Sequence, residues 1–315
     1  MNPISFEIEP TNACNARCTF CPRARTGQLG RLDLNLLPAI ISRILEMPSK
    51  PNVYLCGSGE PLLHPQIASI VEAITVTGLP ARLTTNASRL TRQMAQALLD
   101  AGLNQIAISA SGLGSEYTRI HGLPFERLVE NVRGFLELSK GRCDAIVSVV
   151  LSPRDKPPLD EIAEFWHGMG IIKIHRIVYN NRAGSVSTHP VLAKPQKLRR
   201  DAEKLIKSHD LSAQCDIPFR CICTGHDAKF YPCCMDWERK YPLADVAAAS
   251  VSDVTEMKLQ QLGTNHPLCR LCNQDPTNSV RIALASGSTR RVDSALRCLK
   301  NRQTKLALLH KPLVR

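Results

Sequence analysis

Six short β-rich runs, the first five each followed by a segment of helical spacing, fill the first 180 residues, and this alternation restricts the possible folds more than any other feature. The runs lie at 5–9, 52–56, 81–85, 105–109, 145–151 and 173–179. Segments with apolar residues at helical spacing lie at 36–47, 66–78, 91–102, 125–141 and 159–170. Three of these reach Gly78, Gly102 and Gly141, the residue type usual just past a helix because it turns left-handed without steric cost. Strand–helix alternation with short loops predicts a parallel sheet covered by helices, either an open Rossmann-like sheet or a partial barrel. In both cases the chemistry belongs at the C-terminal ends of the strands.

The polar and glycine-rich stretches obey that rule. "EPTNACNARCTFCPRAR" (9–25) follows the first run, "GSGEP" (57–61) the second, "TNAS" (85–88) the third and "SASG" (109–112) the fourth. The first holds Cys14, Cys18 and Cys21 in a C-x3-C-x2-C spacing. The N-terminus has neither the basic start nor the apolar stretch of a signal peptide, and apolar runs are far short of a membrane span, so a cytoplasmic chain is expected. Thirteen cysteines in a reducing compartment favour ligation over disulfides. Structural zinc sites close with four ligands. Three thiolates on one short loop suit a cubane iron–sulfur cluster better, with the fourth iron open to an exogenous ligand.

The C-x3-C-x2-C loop after the first strand, joined to "GSGEP" after the second, resembles the radical SAM superfamily over about residues 4–180. The resemblance implies a partial (β/α)6 TIM-like barrel, S-adenosylmethionine (SAM), and a 4Fe–4S cluster with an open iron site held by Cys14, Cys18 and Cys21. It implies reductive cleavage of SAM and removal of a hydrogen atom from a substrate, with electrons from a partner such as flavodoxin or ferredoxin. Ser58-Gly59-Glu60-Pro61 stands in place of the usual Gly-Gly-Glu-Pro. Gly59 and Glu60 match the partners of the SAM amino group. Asn86 and Ser109 match polar positions near its carboxylate and ribose, though each also fits a plain turn or cap. Many relatives carry Asp after strand four, where this chain has Ala110 and Ser111.

Beyond residue 180 the alternation stops. A Gly/Pro/Ser-rich linker and one helix near 196–208 fill 181–213, and a second cysteine region spans 214–275. A β-hairpin is expected there, with its turn near "GHDAK" and "FYPCC" as the outgoing arm. The spacing Cys215-x17-Cys233-x35-Cys269-x2-Cys272 resembles the SPASM/Twitch auxiliary-cluster extension. It implies a small C-terminal cysteine-rich domain with one auxiliary 4Fe–4S cluster on these four residues. A zinc site on the same thiolates is the alternative; Cys221 could replace Cys215, and Cys234 could replace Cys233. The expected activity is two-electron oxidation of a small substrate such as a sugar or aminocyclitol. The alternatives are a peptide maturase or an epimerase, with Cys223 as hydrogen donor in the latter, and last an RNA-modifying enzyme. Cys56, Cys143 and Cys298 read as incidental.

Net charge is +12, and the segment 276–315 is expected to be a basic, partly helical tail. It has few aromatics for base stacking and no RNA-binding signature, so neither nucleic acid nor membrane is an expected partner.

Overall fold

The computed structural model of the chain describes residues 3–22, 27–152, 155, 158–186, 189–193, 197–262 and 266–309. Six parallel strands lie side by side in chain order: β1 (Ser5–Ile8), β2 (Asn52–Leu55), β3 (Ala81–Thr85), β4 (Gln105–Ser109), β5 (Asp144–Leu151) and β6 (Lys173–Val178). The crossovers carry α1 (Leu37–Leu45), α2 (Ile67–Thr75), α3 (Arg92–Asp100), α4 (Gly114–His121), α5 (Phe125–Ser139) and α6 (Leu159–Gly168). Each strand ends within one residue of its sequence-based position. Helix α4 was not expected: "GSEYTRIH" opens on glycine and offers only Tyr117 and Ile120 as large apolar residues.

The strands alternate in burial because successive side chains point to opposite faces. Phe6, Ile8, Val53, Leu55, Leu83, Ile106 and Ile108 are buried with Ile40, Ile67, Val71, Ile74, Val132 and Phe135 of the helices. Burial of each such side chain is worth about 1.5–3 kcal/mol relative to exposure. The opposite face is polar and partly accessible. There Arg82 lies over the Tyr54 ring at 5.8 Å and donates to Gln105 Oε1 at 3.0 Å. This inner face receives the loops of the rim.

Two helices, α7 (Pro190–Ala193) and α8 (Lys197–Ser208), precede the cysteine-rich segment. That segment holds α9 (Ile217–Arg220), β7 (Cys221–Thr224), β8 (Lys229–Tyr231) and β9 (Ala244–Asp245), followed by α10 (Val251–Gln261) and α11 (Pro267–Arg270). The hairpin forms where expected, with β8 antiparallel to β7. Its first strand does not stand apart, however. β7 pairs in parallel with β1, so one nine-stranded sheet runs β6-β5-β4-β3-β2-β1-β7-β8-β9. β1 would otherwise be an open edge with unpaired backbone groups, and the wholly buried β7 covers it.

The basic segment forms α12 (Pro276–Ala285) and α13 (Thr289–Leu309); residues 310–315 lie outside the described part. Leu296 and Leu299 of α13 pack with Ala202 and Ile206 of α8 and Val280 of α12 in a separate small core. Among the described residues no helix is long and apolar enough to cross a membrane.

Candidate functional site

The loop after β1 is bound into the fold before any ligand is considered. Thr11 Oγ1 donates to Gly30 O at 2.6 Å, and Asn12 Oδ1 accepts from Gly30 N at 2.7 Å. At its far end Arg17 N and Thr19 N donate to His121 O and Ile120 O, both at 2.9 Å. Cys14, Cys18 and Cys21 are thus carried on a fixed loop, partly accessible. The amide of Ala16 donates to Cys14 Sγ at 3.4 Å. No disulfide joins any of the thirteen cysteines.

His121 is fully buried at the end of α4 and was missed by sequence reasoning. Its Nε2 accepts from Ser111 N at 2.9 Å, so the neutral ring carries its proton on Nδ1, 3.3 Å from Cys18 Sγ. Burial lowers the His121 pKa to about 4, which keeps the ring neutral. Burial, with Cys21 and Cys14 close by, pushes the Cys18 thiol well up. A thiol in that position ionises only when a cation offsets the charge. Three neighbouring sulfurs on one loop, with N–H groups directed at two of them, fit a cluster of the three-thiolate kind.

Gly59 shows why the second loop needs glycine. A Cβ there would lie 2.2 Å from Thr11 O and 2.6 Å from Ala13 O, both backbone atoms. The two loops touch directly, and Glu60 N donates to Ala13 O at 2.8 Å. The Glu60 carboxylate is buried. Its Oε1 accepts from Thr85 Oγ1 (2.6 Å) and Leu62 N (3.0 Å), and Oε2 from Asn86 N (2.7 Å). Burial raises its pKa, and these bonds oppose the rise. One acceptor position on Oε2 remains for a ligand. Asn86 in turn donates through Nδ2 to Asn15 Oδ1 at 3.1 Å, tying the third loop to the first. Ser109 ends β4 opposite Ser148 of β5, on the polar face. The structure therefore brings Cys14, Cys18, Cys21, Gly59, Glu60 and Asn86 onto one rim, with Ser109 at the end of the neighbouring strand.

Glu9, also missed, joins this rim to the hairpin. Its Oε1 accepts from Ser58 N and Ser58 Oγ (both 2.7 Å) and from Arg239 Nη2 (3.0 Å), while Oε2 accepts from His226 Nδ1 (3.1 Å). Burial would raise this carboxyl, but Arg239, His226 and Ser58 outweigh it and hold it far below the usual range.

Comparison with known proteins settles the family at this point. The sequence profile described as "Radical SAM superfamily" matches residues 8–165. The chain belongs to the Radical SAM superfamily. It is 23% identical over 211 residues to a tungsten-containing aldehyde ferredoxin oxidoreductase cofactor-modifying protein of Pyrococcus furiosus, covering 61% of this chain and 58% of that protein. The chain thus spans little more than half of that relative. Among solved structures, BtrN in complex with AdoMet and 2-DOIA superposes with TM-score 0.56 at 17% identity, covering 87% of this chain and 94% of that one. Streptococcus suis SuiB bound to precursor peptide SuiA superposes with TM-score 0.63 at 14% identity, covering 87% and 70%. These likenesses fix the fold as the partial barrel of radical SAM enzymes. Superfamily membership supports SAM and a 4Fe–4S cluster as cofactors.

In this radical SAM chain the later cysteines form a second group. A hydrogen bond with Cys234, burial and the nearby Cys215 push the Cys233 thiol up, and burial with Cys215 close by pushes up Cys272. Cys269 and Cys272 sit on the turn at α11, where Asn278 Nδ2 donates to the carbonyls of Cys269 (2.9 Å), Arg270 (3.2 Å) and Cys272 (3.0 Å). Asn181 and Asn273 exchange backbone-to-side-chain bonds at 3.0 and 3.1 Å, fastening the linker to this turn. Arg302 of α13 donates to Cys215 Sγ at 3.8 Å and to Gln274 O at 3.1 Å. Cys221 and Cys223 stand elsewhere, on β7 beside Glu7. Cys56, read as incidental, lies near Glu7 and Cys221. Cys298 is exposed and Cys143 buried.

Proposed function

We propose that this radical SAM enzyme carries out a two-electron oxidation of a small substrate, such as a sugar or aminocyclitol. The observation that supports it is the second cysteine group, Cys215 within electrostatic reach of Cys233 and Cys272, and Cys269 on the same turn as Cys272, beside a hairpin that shares the barrel sheet. In this reading Cys14, Cys18 and Cys21 hold the first cluster; Gly59, Glu60, Asn86 and Ser109 position SAM; and the second group holds one auxiliary 4Fe–4S cluster. When bound, SAM and the first cluster supply the oxidising power to remove a substrate hydrogen atom. The chain's own part is to hold SAM against the rim loops, to keep the His121 proton on Nδ1 facing Cys18, and to give the substrate electron an exit toward the second cysteine group. The barrel unit would end near 180, the linker and helix run over 181–213, the auxiliary unit over 214–275 and the tail over 276–315. A flavodoxin or ferredoxin would reduce the first cluster in the cytoplasm.

A second reading is peptide modification, favoured by the likeness to SuiB, which was solved with a precursor peptide over the same fold. An epimerase using Cys223 as hydrogen donor belongs to the same alternative. Reconstituted protein incubated with SAM, reductant and a panel of aminocyclitols, sugars and short peptides separates these readings. Oxidation gives a product two hydrogens poorer, with one SAM consumed per product. Replacing Cys269 and Cys272 by Ala then abolishes product while SAM is still cleaved. A product of unchanged mass carrying solvent deuterium overturns the oxidation reading.

A further inference from the structure

The pairing of β7 with β1 creates a cluster of ligating side chains that neither cysteine group uses. Cys221 and Cys223 alternate by two along β7 and so share a face, and the parallel register sets Glu7 opposite Cys223. Cys223 Sγ lies 3.8 Å from Cys221 Sγ and 3.6 Å from Glu7 Oε2. All three ligand atoms fall within 4.8 Å of one another. The Cys234 thiol, beyond β8, lies between Cys223 and Cys233 and outside this set.

These separations discriminate between possibilities. A disulfide would need its sulfurs about 2.05 Å apart. A tetrahedral metal with sulfurs at about 2.3 Å and a carboxylate oxygen at about 2.1 Å sets S–S edges of about 3.8 Å and S–O edges of about 3.6 Å. The two observed distances match those edges without adjustment. The geometry points to a mononuclear tetrahedral site for a zinc-class divalent cation, held by Glu7, Cys221 and Cys223 with its fourth position left to an exogenous ligand such as water, and sharing no ligand with either cluster group.

The surroundings suit such a site. Cys221 and Cys223 are buried, whereas Glu7 is partly accessible and leaves an approach for the ion. Two thiolates and a carboxylate around a dication leave one negative charge, and Arg239 and Arg182 both stand within electrostatic reach of Glu7. The wholly buried Lys258 donates to Cys221 O at 3.0 Å and Pro218 O at 2.8 Å, fixing the start of β7. The bound ion pins the hairpin to β1 near the end of that strand.

The test uses full-length protein reconstituted anaerobically in the presence of zinc and then desalted over a weak chelator. One zinc per chain should remain beside the cluster iron, with sulfur and oxygen neighbours in its X-ray absorption spectrum. The Cys221→Ser/Cys223→Ser double variant should lose the zinc and keep its iron. Glu7→Gln, a milder change, should weaken zinc retention by about tenfold or more, a loss that even outer-shell substitutions reach. No zinc in the wild type, or zinc undiminished in the double variant, overturns the site. So does loss of about four irons from the double variant, which would make these thiols ligands of a cubane instead.

Discussion

Gly59 and His121 carry most of the weight at the scale of single residues. Gly59 reads in the sequence as a SAM contact, yet the structure shows a prior demand: there is no room for a Cβ between it and the backbone of Thr11–Ala13. Gly59→Ala should therefore cost about 1–3 kcal/mol or more through overpacking and lower the iron retained by the three-cysteine loop. Gly168→Ala meets nothing within 4 Å at the last residue of α6 and should be neutral or stabilise by up to about 0.5 kcal/mol. Equal melting temperatures for the two variants would contradict the account. His121 governs a pH dependence. Its folded pKa is about 4 against about 6.5 unfolded, so between these values the unfolded chain binds the extra proton. Its contribution is complete above about pH 6.5 and declines toward pH 4, by up to about 3 kcal/mol. Anaerobic urea denaturation at stepped pH should show this slope in wild type and a flatter one in His121→Asn. No sequence signature marks His121 or Glu9, because their partners lie far along the chain: Cys18 and Ser111 for one, Ser58, His226 and Arg239 for the other.

Among elements, those built on local periodicity were legible and those built on distant pairing were not. The six barrel strands and five of their helices follow from burial patterns of period two and 3.6, which the sequence displays directly. The hairpin turn was equally legible from "GHDAK". The β1–β7 pairing joins residues more than two hundred positions apart, and nothing local to either strand announces it. The same holds for the tail, which the sequence marks only as basic and partly helical. Its α13 packs Leu296 and Leu299 and sends Arg302 to Cys215 and Gln274 O. Truncation after residue 300 should therefore loosen the auxiliary group selectively. The expected result is faster loss of about four irons under mild chelation, with the iron of the three-cysteine loop unaffected. Asn273→Ala should act in the same direction, since it unfastens the linker at Asn181 and Tyr179. Uniform iron release from both groups, or none, would contradict the separate anchoring of the auxiliary turn.

For the molecule as a whole, one continuous sheet carries both cysteine groups. The rim loops follow the parallel strands, Glu9 ties Ser58 of the second loop to Arg239 and His226 beyond residue 220, and β7 extends the sheet toward the auxiliary turn. The two groups are thus joined by fixed contacts rather than by a flexible tether. The central claim is that the loop of Cys14, Cys18 and Cys21 supports reductive cleavage of SAM. The most direct test is 5′-deoxyadenosine production by reconstituted, reduced protein, compared with a Cys14→Ala/Cys18→Ala/Cys21→Ala variant. The account predicts about eight irons in wild type and about four in the variant, with 5′-deoxyadenosine formed only by the former. Undiminished SAM cleavage in the triple variant would contradict it.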